Sequence, residues 1–129
     1  MSRLPGKGRP RKAAPVTYDT VRQIALALPG VEEGSSYRTP ALKVRGKLLV
    51  RLKEDGETIV LMAKFDVRDI LMQADPETFY ITDHYRGYPA VLVRLSSVDA
   101  DELPGLLEQA WRDHAPRSLV ASFDAGLKR

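Results

Sequence analysis

The chain contains no cysteine, which excludes disulfides and thiolate metal sites. Histidine is almost as scarce. His84 and His114 are the only two, and thirty residues apart they have no metal-ligand spacing. No metal and no cofactor is therefore expected. No apolar run approaches the roughly 20 residues that span a membrane. The N-terminus is basic but lacks the apolar segment of a secretory signal. The expectation is a cytoplasmic protein without membrane association. Phosphate-binding loops, GxGxxG fingerprints and GxSxG nucleophile elbows are absent as well, so no enzyme class is specified by motif.

Acid is missing from the first fifteen residues, which carry Arg3, Lys7, Arg9, Arg11 and Lys12. That leaves fifteen bases against seventeen acids in the rest of the chain, so the net charge of +3 comes from the arm. Three prolines, two glycines and five cations in residues 1–16 cannot bury enough apolar surface to offset the entropy of ordering. The expected organisation is a disordered basic arm over 1–16, followed by a single domain over 17–129.

Along that domain the periodicity changes from helical to extended and back. Thr17 caps a first helix, with Asp19 in its first turn and Val21, Ile24, Ala25 and Leu28 as its apolar stripe. Pro29-Gly30 ends it, and residues 31–40 read as a polar loop. Ala41–Arg45, Leu48–Lys53 and Thr58–Ala63 are three strands separated by Gly46-Lys47 and Glu54–Glu57, an antiparallel meander. Asp66 caps a short helix with Val67, Ile70 and Leu71 facing inward. Short strands follow at Phe79–Ile81 and Ala90–Leu95. Asp99 and Glu102 have capping-box spacing ahead of a long helix. Leu103, Leu106, Leu107, Ala110, Trp111 and His114 mark its buried face. A final helical segment carries Leu119, Val120 and Phe123. The fold class is α+β, an antiparallel sheet with flanking helices.

Three constellations bear on function. Lys7-Gly8-Arg9-Pro10-Arg11-Lys12 is similar to an AT-hook, with a lysine in place of the first arginine of the Arg-Gly-Arg-Pro core. A thin cationic segment of this kind suits the narrow minor groove of A·T-rich DNA. The meander holds Arg38, Lys43, Arg45, Lys47, Arg51 and Lys53, with no acid from residue 37 to 53. If Leu42, Val44, Leu48, Val50 and Leu52 face the core, then Lys43, Arg45, Arg51 and Lys53 share the outer face and can lie along phosphates. Thirdly, Asp83-His84-Tyr85-Arg86-Gly87-Tyr88-Pro89 brings acid, imidazole and phenols together. With Glu33 and Tyr37 of the polar loop it makes an alternative pocket of Glu33, Tyr37, His84, Tyr85 and Tyr88. Neighbouring residues of an extended chain point opposite ways, so Asp83 need not orient His84 as a base.

LPGVEEGSSYRTPALKVRGKLLVRL (28–52), FYITDHYRGYPAVLVRL (79–95) and LLEQAWRDHAP (106–116) together resemble the MmcQ/YjbR family over about residues 17–123. The resemblance implies a compact domain with an antiparallel sheet and flanking helices. It also implies DNA binding, the activity to which such proteins are commonly assigned, and it supplies no catalytic residues to carry over. Three functional classes stay open. The first is a DNA-binding protein, nonspecific or A·T-leaning, that uses the arm and the hairpin face. The second is a small-molecule or enzymatic site on the 83–89 loop, and the third a protein-interaction adaptor without chemistry.

Overall fold

A computed structural model describes residues 16–127; the arm cations Lys7, Arg9, Arg11 and Lys12 lie outside them, while Val16, expected as the last residue of the arm, is buried in the main core. The order is α1 (Tyr18–Leu26), β1 (Val31–Ser36), β2 (Thr39–Val44), β3 (Lys47–Leu52), β4 (Thr58–Met62), α2 (Phe65–Ala74), β5 (Phe79–Tyr80), β6 (Ala90–Arg94), α3 (Leu103–His114) and α4 (Arg117–Leu127), with a 3₁₀ turn at Asp83–Tyr85. The strands form one six-stranded sheet in the order β1-β2-β3-β4-β6-β5, and every pairing is antiparallel. The α+β expectation is correct.

One face of the sheet carries the main core. Leu42, Val50, Ile59, Leu61 and Val93 pack there with Val21 of α1 and Leu107 and Trp111 of α3, and Leu119 and Phe123 of α4 close over the edge. Val60, Met62, Ala90 and Leu92 form a smaller cluster on the other side, covered by Tyr85 of the loop after β5. A sheet covered by helices on one face and only by a loop on the other leaves open strand surface beside that loop.

Several local expectations hold. The Thr17 hydroxyl accepts from the Thr20 amide, completing a reciprocal cap with Thr20. The Asp55 carboxylate organises the β3–β4 turn, accepting from the Glu57 amide at 2.8 Å, the Thr58 amide at 3.0 Å and the Thr58 hydroxyl at 2.9 Å. Partial burial alone pushes the Asp55 pKa up, but these hydrogen bonds outweigh it and hold the group below the ordinary carboxylate value. A folded-state pKa depressed in this way contributes stability above the unfolded-state pKa. That contribution is lost as pH falls through the folded-state pKa. Asp55→Ala should therefore lower stability at neutral pH by about 1 kcal/mol, the scale of a lost cap. Urea denaturation should show the gap between parent and variant closing at acid pH; a gap independent of pH would refute the role assigned to Asp55.

Four expectations need correction. Residues 31–36 are not loop but β1, paired along its whole length with β2. Its sequence, Val-Glu-Glu-Gly-Ser-Ser, shows no alternation because it is an edge strand largely exposed to solvent, held by backbone pairing and kept polar where an apolar edge would aggregate. Helix α2 begins at Phe65, with Asp66 inside its first turn rather than at the cap. Its buried residue is Arg68, while Ile70 is exposed. Helix α3 begins at Leu103 without a side-chain cap from Asp99, since Pro104 sits in its first turn where its missing N–H costs nothing. Asp99 instead accepts from the Asp101 amide at 2.9 Å.

The fourth correction concerns β3. Leu42 pairs with Val50, but Lys43 pairs with Leu48. Leu49 is thus an extra residue in β3, a β-bulge. A single inserted residue reverses which face each following side chain occupies. Leu48 and Arg51 consequently meet on the loop-covered side, although strict alternation would separate them.

Candidate functional site

The bulge, the β1–β2 turn and the loop after β5 build one trough on the loop-covered face. It encloses about 610 Å³ and is lined by Tyr37, Leu48, Arg51, Lys53, Glu54, Val60, Thr82, His84, Tyr85 and Tyr88. Its floor comes from β3 and β4, where Arg51 pairs with Val60. Of the five large apolar or aromatic side chains that stay exposed among the described residues, two, Tyr37 (74%) and Tyr88 (44%), border this trough.

Arg51 is the pivot. It is buried to 6% exposure, which corrects the expectation that it lies on an outer cationic face with Lys43, Arg45 and Lys53. Its Nη1 donates to the Thr39 hydroxyl at 3.2 Å and the Leu52 carbonyl at 3.3 Å, and its Nη2 donates to the Tyr85 hydroxyl at 3.1 Å. The Tyr37 ring lies over the guanidinium, 4.9 Å from its carbon, a cation–π contact. Glu54 approaches Nη1 at 3.6 Å. Its carboxylate is held below the ordinary value by its own backbone amide and by the Arg51 and Lys53 charges.

A second buried arginine fixes the opposite wall. Arg68 of α2 reaches under the 83–89 loop. Its Nη1 donates to the carbonyls of Tyr85 at 2.9 Å and Tyr88 at 2.8 Å, and its Nη2 donates to the Arg86 carbonyl at 3.1 Å. Its Nε has no hydrogen-bond partner. The guanidinium also lies 4.9 Å from the Phe65 ring centroid. Tyr85 is therefore gripped twice, by Arg51 at its hydroxyl and by Arg68 at its carbonyl. His84 packs edge-on against Tyr85 at 4.8 Å, and Tyr88 lies 6.0 Å from Tyr85. A search of the chain for apolar stripes misses Arg68, and the signal that could have found it is its position three residues before the inward-expected Leu71, on the same face of the helix.

Of the expected alternative pocket, Tyr37, His84, Tyr85 and Tyr88 come together and Glu33 does not. Glu33 lies over α1, where Arg22 Nη2 donates to its carboxylate at 2.9 Å and keeps it below the ordinary value. Asp83 pairs with Arg86, not His84. Tyr88 is not buried as a packing ring would be. Of the remaining expected cations, Arg38, Arg45 and Lys47 are exposed, and Lys43 and Lys53 are half-buried. Arg38, Lys43, Arg45 and Lys47 form no ion pair with another described residue. Among the described residues no cluster of three His, Cys, Asp or Glu could hold a metal ion, and no helix is long and apolar enough to cross a membrane.

The β1–β2 turn has unusual residues for its backbone. Tyr37 (φ 53°) and Arg38 (φ 68°) both occupy the left-handed region, which hairpins of this twist usually give to Asn and Gly. For side chains of this bulk the conformation costs roughly 1 kcal/mol each, and such strain concentrates at functional positions. Arg38→Gly should raise stability by about 1 kcal/mol while weakening any phosphate contact made there. A urea midpoint that falls in this variant would remove the argument from strain.

A family model for YjbR matches residues 26–113. Uncharacterized proteins of Mycobacterium bovis and Mycobacterium tuberculosis are each 35% identical to the chain over 122 residues, covering 83% of it and 95% of the relative. A crystal structure of a Deinococcus radiodurans protein with a DUF419 domain superposes with a TM-score of 0.64 at 23% identity, covering 74% of this chain and 76% of that one, a likeness of fold. The fold and trough described above are those of a small α+β domain with an antiparallel sheet. The chain belongs to the YjbR family.

Proposed function

We propose that the protein binds nucleic acid through the cationic surface of its meander, without strong sequence preference. The observation that carries this reading is the run from Tyr37 to Lys53, six cations and no acid. Arg38, Arg45 and Lys47 stand exposed at its two turns and the strand end beside them. Unpaired cations on twisted strands suit backbone phosphates, which position a protein without specifying sequence. The basic arm adds a second, independent attraction with an A·T leaning, because its Gly-Arg-Pro segment fits a narrow minor groove.

Titration of the full chain with single-stranded and duplex DNA at two salt concentrations tests the reading. Binding that weakens with salt is expected, as for any interface that releases counterions. Replacing Lys7, Arg9, Arg11 and Lys12 with alanine separates the arm from the meander. No binding to either polymer at low salt sinks the proposal for both.

A second reading, a small-ligand site, is favoured by the trough. Its volume lies within the range of small-molecule sites, and a few convergent polar groups line an aromatic concavity.

A further inference from the structure

We propose that the trough takes one unstacked nucleotide, its base against Tyr37 or Tyr88 and its phosphate toward Lys53. This deepens the nucleic-acid reading and rests on it. A planar ring gains most from exposed aromatic faces, and every nucleobase offers such a face. Tyr37 presents one: the inner side of its ring covers the Arg51 guanidinium at 4.9 Å, yet 74% of the residue remains exposed. Across the trough Tyr88 is held by Arg68 through its carbonyl at 2.8 Å, so its backbone is fixed while its side chain is open.

The charges in the trough favour an anionic ligand with neutral polar edges. Arg51 and Lys53 outweigh Glu54, the only acid in the lining. Glu54, Thr82 and the Tyr85 hydroxyl can hydrogen-bond base or sugar edges. The cavity of about 610 Å³ is of a size for one small molecule such as a mononucleotide. Cations flank its opening, because Arg38 follows Tyr37 in the same turn and Lys53 lines the trough itself. A strand lying along these cations would bring an unpaired base to the opening. Stacked duplex offers no free face to Tyr37 or Tyr88, so the site selects single strands or free nucleotides.

The test uses the full chain with three probes: an oligothymidylate, a duplex of equal length, and AMP. Affinity for the single strand should exceed that for the duplex by about tenfold, the scale of one stacked base. The pair Tyr37→Asn and Tyr88→Ala should erase that preference while leaving duplex binding and the thermal midpoint little changed. Asparagine tolerates the left-handed backbone at residue 37, so the variant folds. Saturable AMP binding that is lost in the same variant identifies free nucleotide as a source. Single-strand preference without AMP binding restricts the site to strands. Equal affinity for single strand and duplex, unaltered in the variant, together with no AMP binding, overturns the inference but spares the phosphate reading. Absence of binding to all three probes overturns both.

Discussion

Trp111→Ala should lower stability by roughly 3–5 kcal/mol, the usual cost of truncating a core aromatic. Trp111 has 0% exposure and joins three parts of the fold. Its Nε1 donates to the Pro29 carbonyl at 2.8 Å, tying α3 to the end of α1. Its ring meets Phe123 of α4 at 5.0 Å. The variant loses apolar burial, an edge-to-face contact and a hydrogen bond together, and leaves the Pro29 carbonyl without its indole donor. Domains are stable by only about 5–15 kcal/mol, so the loss should be plain in a urea transition. A midpoint within error of the parent would mean that α3 does not carry the core.

Arg68→Met should cost about 3 kcal/mol, and its effect should be concentrated in the loop it holds. Methionine keeps the apolar stem but removes every guanidinium donor. The carbonyls of Tyr85, Arg86 and Tyr88 then lose charge-assisted hydrogen bonds, each worth about 1.5–3 kcal/mol in isolation and less when the loop can turn toward water. Replacing a buried ion by an apolar group is not always destabilising. Here the partners are backbone carbonyls that methionine cannot satisfy, so a loss is expected. Amide exchange should accelerate at Tyr85, Tyr88 and Ala90, whose own backbone bonds shape the loop, while the α1–α3 core stays protected. Exchange and denaturation both matching the parent would show that Arg68 does not position the wall of the trough.

The fold was largely legible where the side chains alternate or recur. Short turns at Gly46-Lys47 and Glu54–Glu57 between apolar strands announce the meander, and Thr17 and Trp111 announce the helices that cover it. Three features escaped for identifiable reasons. β1 is an edge strand whose energy lies in backbone pairing, so its polar sequence reads as loop. Arg68 points inward because four carbonyls await it there, those of Tyr85, Arg86, Tyr88 and Ala90, and they come from a loop and strand some twenty residues later. The bulge at Leu49 is a property of register between two strands, invisible in either strand alone. It brought Leu48 to the loop-covered face beside Arg51, whose burial there comes from Tyr37 and Tyr85, elements far away in the sequence. The trough was half legible: Tyr37, His84, Tyr85 and Tyr88 were each conspicuous, but only the sheet order places β3 so that Arg51 can join the first of them to the third.

The central claim is that the meander's cations meet phosphate. The most direct measurement is the salt dependence of single-strand binding for the full chain with Arg38, Lys43, Arg45 and Lys47 all replaced by alanine. None of the four forms an ion pair with another described residue, so the fold should survive their removal. If each neutralises one phosphate, the log–log slope should flatten by up to about 2.8, from roughly 0.7 per contact on a single strand. Affinity should fall with it. A variant that binds as tightly as the parent, with the same slope, would contradict the account and leave these four cations as side chains that touch only water.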